Sequence, residues 1–86
     1  MSYQLIIKPG VQRQLRQLDS PALRRIMRKL QQLQQNPRPS GVQKLHSGLE
    51  GYRVRVGDWR ILYTIDDQAH EVQVYRIKHR SRAYRR

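Results

Sequence analysis

The sequence predicts an α+β fold in which a helical hairpin packs on one face of a small antiparallel sheet, in the order β-α-α-β-β-β. Two patterns predict this fold. Apolar residues alternate with polar ones between Tyr52 and Ile65, and they recur at helical spacing between Val11 and Leu33. With 86 residues, the chain is expected to form one domain over residues 1–86 with a single modest core.

The stretch 51–63 is the clearest element and predicts a β-hairpin. Its turn falls at Gly57-Asp58, because glycine tolerates the positive φ that a short hairpin turn needs. Arg53 and Arg55 share one face, since side chains alternate across a strand, and Arg60 follows the turn. The apolar residues that alternate with these arginines along the two strands are Tyr52, Val54, Val56, Trp59, Ile61 and Tyr63. The hairpin is therefore predicted to present an apolar wall to the core and a cationic surface outward.

The chain before the hairpin predicts a strand and two helices. The apolar run Tyr3–Lys8 indicates a strand that ends at Pro9-Gly10. The first helix is predicted from about Val11 to Leu18. The second begins at Ser20-Pro21, with Ser20 as the capping residue, and ends at Asn36-Pro37. Residues 43–46 are then expected to lead into the hairpin as extended chain.

The chain after the hairpin predicts a turn and a last strand. Residues 66–69 indicate the turn, and the strand runs from about Glu71 to Lys78. Val72 and Val74 are in phase along this strand, but Ile77 is not. A β-bulge near residues 75–76 would bring Ile77 back onto the apolar face, so a bulge is expected there.

The charge predicts a polyanionic partner. Eighteen Lys and Arg residues against six Asp and Glu residues give a formal net charge of +12. Arginine outnumbers lysine, and because its guanidinium binds phosphates in a bidentate way and stacks on bases, this favours nucleic acid. No apolar run is long enough to span a membrane, so no membrane partner and a cytoplasmic location are expected.

The residues favour chemistry without a metal ion or cofactor. The chain has no cysteine, and His46, His70 and His79 lack the paired spacing of a metal site. RNA can be cleaved without metal, because a ribose 2′-hydroxyl can attack its neighbouring phosphate when an enzyme stabilises charge and moves protons. Arginine suits the first task, and tyrosine or histidine the second. These residues alone leave both an active site and a plain binding surface open.

Two segments resemble a known family. The block 51–63, with Leu45 before it, and the terminal segment 77–84 resemble the RelE/ParE superfamily of bacterial type II toxins, the RelE branch most. The resemblance implies an mRNA interferase, an endoribonuclease that enters the ribosomal A site, cuts the codon without metal and so inhibits translation. It also implies a cognate antitoxin protein that neutralises the toxin.

The resemblance assigns roles to single residues. The family's basic pair falls on Arg53 and Arg55, its hairpin arginine on Arg60, its C-terminal arginine on Arg80 and its C-terminal tyrosine on Tyr84. The expected catalytic set is therefore Arg53, Arg55, Arg60, His79, Arg80 and Tyr84, in which His79 is an extra acid or base. The residues expected to bind RNA or the ribosome are Lys44, Arg76, Lys78, Arg82, Arg85 and Arg86.

This sequence departs from the best-known family pattern in two ways. The basic pair is Arg-x-Arg where some members have Lys-x-Lys, which disfavours proton transfer by Arg53 and Arg55. The segment from Arg80 to Tyr84 is short, so Lys78 or Arg82 is an alternative to Arg80.

Two other functions stay open. A ParE-like inhibitor of DNA gyrase would damage DNA and leave mRNA intact. A non-catalytic RNA-binding module would bind with similar salt dependence but without cleavage or toxicity.

Overall fold

The structure is a computed structural model that describes residues 2–46 and 51–80. Within these residues the chain forms two helices and five strands, which confirms the predicted α+β class. The helices are α1 (Pro9–Arg16) and α2 (Ser20–Gln35). The strands are β1 (Gln4–Ile7), β2 (Gln43–Lys44), β3 (Tyr52–Val56), β4 (Trp59–Asp66) and β5 (Glu71–His79).

The strands form a single mixed sheet in the order β1-β5-β4-β3-β2. Strands β2 to β5 pair in antiparallel fashion, whereas β1 and β5 are parallel. The prediction of a wholly antiparallel sheet is therefore wrong at this edge. Parallel partners need a long connection, and here both helices and three strands lie between β1 and β5 in the chain. Periodicity predicts a strand but not the direction of its partner.

The helix starts differ slightly from the predicted ones. Helix α1 begins at Pro9, because proline suits the first helical turn, where its missing N–H is not needed. The capping residue of α2 is Asp19 and not Ser20: the Asp19 carboxylate accepts from the Ala22 N–H at 3.0 Å. The predicted end at Asn36 is confirmed. Neither helix of the described chain is long and apolar enough to cross a membrane.

The core lies between the helices and one face of the sheet, here called the inner face. Its buried strand residues are Val54, Ile61, Tyr63, Val72, Val74 and Ile77. Helices α1 and α2 pack against them with Val11, Leu15, Ile26, Leu30 and Leu33. The apolar stripes predicted for the helices and the hairpin are thus confirmed. The opposite face of the sheet, which carries Arg53 and Arg55, is the outer face.

The predicted bulge lies in β5. Leu62 is opposite Arg76, but the next residue, Tyr63, is opposite Val74, so Tyr75 is the extra residue. The bulge shifts the alternation by one position. Val74 and Ile77 therefore both lie on the inner face, which confirms the expectation from the sequence.

Candidate nucleic-acid interface

Five cationic side chains occupy two adjacent rows of the outer face. The register places Arg55 opposite Arg60, and Arg60 opposite Lys78, across three neighbouring strands. We call these residues the first cationic row. One step further along the strands, Leu62 lies between Arg53 and Arg76, which form the second cationic row. The sheet therefore brings together residues that lie up to 25 positions apart in the sequence, from Arg53 to Lys78.

This arrangement favours an anionic ligand. Like charges directly opposite each other on neighbouring strands destabilise a sheet. Neither row contains an acidic residue. A bound phosphate would relieve the repulsion, because guanidinium and ammonium groups form strong charge-assisted hydrogen bonds with phosphate oxygens.

The turn between β3 and β4 brings two of these guanidinium groups together. The carbonyl oxygen of Gly57 accepts from Arg55 Nε and from Arg60 Nη1, both at 3.3 Å. Arg60 Nη1 also donates to the carbonyl oxygen of Trp59 at 3.2 Å. Gly57 has φ +58, as the sequence predicted for this turn. The turn thus presents one oxygen on which two arginines converge.

Arg60 is more deeply buried than the sequence predicted. It lies on the outer face, but only 7% of the residue is exposed. Strand β4 has a partner strand on each side, so its outward residues have neighbours in both directions. Leu62, the next outward residue, is 2% exposed for the same reason. The outward direction of Arg60 is as predicted but its burial was not predicted, whereas Arg53 and Arg55 are exposed as predicted.

Arg80 lies beside the same turn. Its backbone N–H donates to the carbonyl oxygen of Asp58 at 2.5 Å, and its Nη1 is 3.9 Å from Asp58 Oδ1. The side chains of Arg80 and Asp58 are 60% and 61% exposed. Such an exposed ion pair is weak and exchanges readily with solvent. Arg80 is therefore held near the first cationic row by its backbone, while its guanidinium can reach a ligand.

Two predicted residues lie on the other face of the sheet. Lys44 is opposite Tyr52, so it does not share the face of Arg53. His79 is opposite Trp59, and the two rings meet edge to face with centroids 4.9 Å apart. The structure therefore does not place Lys44 or His79 with the outer-face arginines. The predicted site residues Arg82, Tyr84, Arg85 and Arg86 lie outside the described residues.

Two further polar residues contact the site and were missed from the sequence. Gln43 lies opposite Arg53, and its Oε1 accepts from Arg53 Nη2. Arg25 of α2 approaches the turn: a Cβ at Gly57 would lie 3.5 Å from Arg25 Nη1. Both contacts depend on how elements distant in sequence pack, and no local pattern indicates them.

A groove of about 940 Å³ lies between α1 and the second half of β5. Val11, Gln14, Trp59, Ile77 and His79 are among its lining residues. Gln14 Nε2 donates to the Ile77 carbonyl at 3.1 Å, which satisfies part of the β5 edge that β1 does not reach. No pattern in the sequence indicates this groove.

The described part of the chain offers no metal centre. Residues 2–46 and 51–80 contain no group of three His, Cys, Asp or Glu side chains that is placed to hold a metal ion. What the two rows can do chemically is bind phosphates and stabilise negative charge on them. Proton transfer is not a role for arginine, which stays protonated in proteins, so among the five row residues Lys78 is the candidate for it.

Comparison with known proteins identifies the family. The model of the family described as ParE toxin of type II toxin-antitoxin system, parDE, matches residues 5–84. The chain belongs to this toxin family. A curated relative, Toxin RelE of Mycobacterium tuberculosis (strain ATCC 25618 / H37Rv), is 43% identical over 51 residues. That match covers 58% of this chain and 52% of the relative, so it spans about half of the relative's length.

Solved toxin structures have the same fold as this RelE/ParE superfamily member. The archaeal RelE–RelB complex from Pyrococcus horikoshii OT3 has a chain that is 29% identical, with a TM-score of 0.83 over 95% of this chain and 99% of that chain. The RelBE2 toxin–antitoxin complex from Mycobacterium tuberculosis has a chain that is 27% identical, with a TM-score of 0.81 over 93% and 100%. Both support the superfamily assignment and the α+β fold.

Proposed function

We propose that this toxin is a ribosome-dependent, metal-independent endoribonuclease that cleaves mRNA at A-site codons and thereby inhibits translation. The observation that carries the proposal is the pair of cationic rows on the outer face, next to the turn where Arg55 and Arg60 converge. Five cationic side chains with no acidic residue in their two rows suit binding to the phosphate backbone of a nucleic-acid strand.

The proposed reaction uses the RNA's own nucleophile. The 2′-hydroxyl attacks the adjacent phosphate, and the bond to the 5′-oxygen of the next nucleotide breaks. Negative charge then builds up on the phosphate oxygens, where guanidinium groups stabilise it. Arg55 and Arg80 are exposed and suit direct phosphate contact, with Lys78 beside them. Arg60 orders the turn and contributes positive potential from a buried position.

The proton transfers have separate carriers. One group must take the proton of the 2′-hydroxyl and another must protonate the leaving oxygen. Arginine keeps its proton at any physiological pH, so Arg53 and Arg55 bind and do not transfer protons. Tyr84 is the proposed general base or base-stacking residue, on the resemblance to RelE-like toxins, and it lies outside the described residues. Lys78 is the candidate acid on the outer face.

A cognate antitoxin protein is the proposed regulatory partner. The solved relatives from Pyrococcus horikoshii and Mycobacterium tuberculosis are both complexes of a toxin with its antitoxin. A net charge of +12 would attract an acidic protein as well as RNA. Binding of an acidic segment over the cationic rows would block the access of RNA.

A ParE-like inhibitor of DNA gyrase is the second candidate. It is favoured by the family model that matches residues 5–84, whose description names the ParE toxin. Such a toxin would use the same cationic surface to bind a partner and would need no proton carriers at the site.

In vitro translation of a defined message distinguishes these functions. We expect the purified protein to produce cuts within codons, detected by primer extension, only while ribosomes translate the message. Cleavage of the message without ribosomes would contradict ribosome dependence. An intact message together with inhibited gyrase supercoiling would favour the second candidate and overturn the first.

A further inference from the structure

The outer face changes sign along its strands. Beyond the two cationic rows, the third row contains Thr64 opposite Gln73, with Ile6 of β1 beside Gln73. The fourth row contains Asp66 opposite Glu71, with Gln4 beside Glu71. The face therefore passes from cationic through neutral to anionic within the length of β4.

The negative charge of the fourth row belongs to Asp66 and Glu71. Asp67 lies nearby, but its carboxylate accepts from Arg38 at 2.9 and 3.3 Å and from the Tyr3 hydroxyl at 2.7 Å. Its charge is thus compensated by Arg38. Asp66 Oδ1 accepts from the Ala69 N–H at 3.0 Å, which is a neutral donor.

Neither Asp66 nor Glu71 forms an ion pair with a described residue. His70 directly precedes Glu71 in the chain, and its ring packs against Tyr3 with centroids 5.1 Å apart. Two carboxylates directly opposite each other destabilise the sheet, as the cations at the other end do. Both ends of the face therefore carry an unfavourable charge row, which suggests that the polarity of the face has a function.

The spacing of the rows suits a single strand of nucleic acid. Outward residues two positions apart on a strand are separated by about 7 Å. This is close to the separation of neighbouring phosphates in an extended single strand. A strand that follows β4 from the turn would place one phosphate over each cationic row. Its next phosphates would lie over the neutral row and then over the carboxylates.

We propose that Asp66 and Glu71 form an anionic boundary that restricts the bound RNA to the two cationic rows. The field of the carboxylates extends over about one row spacing, since the Debye length is about 8 Å at physiological ionic strength. The neutral row is therefore within their reach and disfavours a third phosphate. The ligand is a short single-stranded RNA segment of about three nucleotides with two phosphates over the rows. This inference rests on the proposed RNA-binding function and specifies its substrate.

The salt dependence of binding tests this boundary directly. The logarithm of the affinity falls with the logarithm of the salt concentration, with a slope of about −0.7 per phosphate neutralised on a single strand. The probes are 2′-O-methyl oligouridylates of about three, six and nine nucleotides, which cannot be cleaved by 2′-hydroxyl attack. We expect the unmodified protein to show the same slope for all three lengths.

The variant Asp66→Asn/Glu71→Gln removes the boundary and keeps the side-chain shapes. Its slope should become steeper with length, by about 0.7 for each additional phosphate bound. Asp19→Asn is the control, because it removes a negative charge away from the outer face and keeps a capping side chain. This control should show the same slope for every length, as the unmodified protein does.

Three results would overturn the inference in distinguishable ways. A slope that steepens with length in the unmodified protein would overturn the boundary and leave RNA binding intact. A double variant whose slope does not change with length would do the same. Absence of binding at every length, with the protein folded, would overturn the proposed RNA-binding function and the boundary together.

Discussion

Arg60 shows how far a single residue follows from the sequence. Alternation after the turn correctly assigns it to the outer face with Arg53 and Arg55. Its burial depends on the position of β4 between two other strands, which no local pattern encodes. The same limit explains Gln43, which reaches Arg53 only because β2 joins the edge of the sheet. For a single residue, the sequence predicts the charge of the side chain and the face of the sheet on which it lies. Its burial and its hydrogen-bond partners depend on the fold.

Arg80 and Arg60 should respond differently to substitution by alanine. Arg80→Ala should lower mRNA cleavage about 100-fold, the usual cost of one transition-state donor, and abolish growth arrest. It should change the free energy of unfolding by less than about 0.5 kcal/mol, because the side chain is 60% exposed. Arg60→Ala should lower both cleavage and stability, since the buried guanidinium donates to two backbone carbonyls. Urea unfolding and primer extension measure these effects.

The double variant Arg60→Ala/Arg80→Ala, if folded and still bound by antitoxin, should cause no growth arrest. Growth arrest by that folded variant would exclude both residues from the site.

Tyr63 should stabilise the fold and make it sensitive to alkali. Its hydroxyl donates to the Pro37 carbonyl at 2.6 Å in a fully buried position. Tyr63→Phe should lower the free energy of unfolding by about 1–3 kcal/mol, because the Pro37 carbonyl loses its buried partner. Burial raises the pKa of Tyr63 above its ordinary value of 10.0.

The raised pKa fixes the direction of the pH dependence. Above pH 10 the unfolded chain releases the Tyr63 proton while the folded chain retains it, so stability should fall as pH rises. Below pH 10 this contribution to stability is fully present. Urea unfolding between neutral and alkaline pH should show a shallower fall for Tyr63→Phe than for the unmodified protein. An equal loss of stability at alkaline pH in the two proteins would contradict the role of Tyr63 in this pH dependence.

The elements were predicted to different degrees. The hairpin of β3 and β4 follows from alternation and from Gly57, and the bulge follows from the phase of Ile77. The parallel pairing of β1 with β5 did not follow, because pairing direction depends on the path of the whole chain. The cap of α2 was assigned to Ser20, although Asp19 is an equally good capping residue at the preceding position.

Two glycines offer a matched test of how β3 begins. Gly51 and Gly41 have similar positive φ values of +90 and +88. A Cβ at Gly51 would lie 2.1 Å from the carbonyl oxygen of Tyr63, whereas a Cβ at Gly41 would have no atom within 4 Å. Gly41→Ala should cost about 1–2 kcal/mol through backbone strain alone. Gly51→Ala should cost at least several kcal/mol, because the backbone of β4 must move away.

Thermal or urea unfolding of both glycine variants measures the difference. Equal losses of stability would show that strain, and not the close approach of β3 to β4, accounts for Gly51.

The whole molecule is organised by the charge of the outer face. The net charge of +12 predicted a polyanionic partner, and the alternation predicted which face would carry the arginines. The sequence did not predict that Lys44 and His79 would lie on the other face, because their face depends on how their strands align with the neighbouring strands. It also did not predict the separation of cationic and anionic rows, since that requires the alignment of all the strands.

Primer extension in a translating extract, applied to two matched charge variants, locates the activity on the molecule. Arg55→Gln/Arg80→Gln removes two charges beside the β3–β4 turn, and Arg24→Gln/Arg28→Gln removes two exposed charges from α2. Urea unfolding first checks that both variants are folded. We then expect codon cleavage to fall about 100-fold or more in the first variant and to be retained in the second. Equal activity of the two variants would contradict a cleavage site at the cationic rows of the outer face.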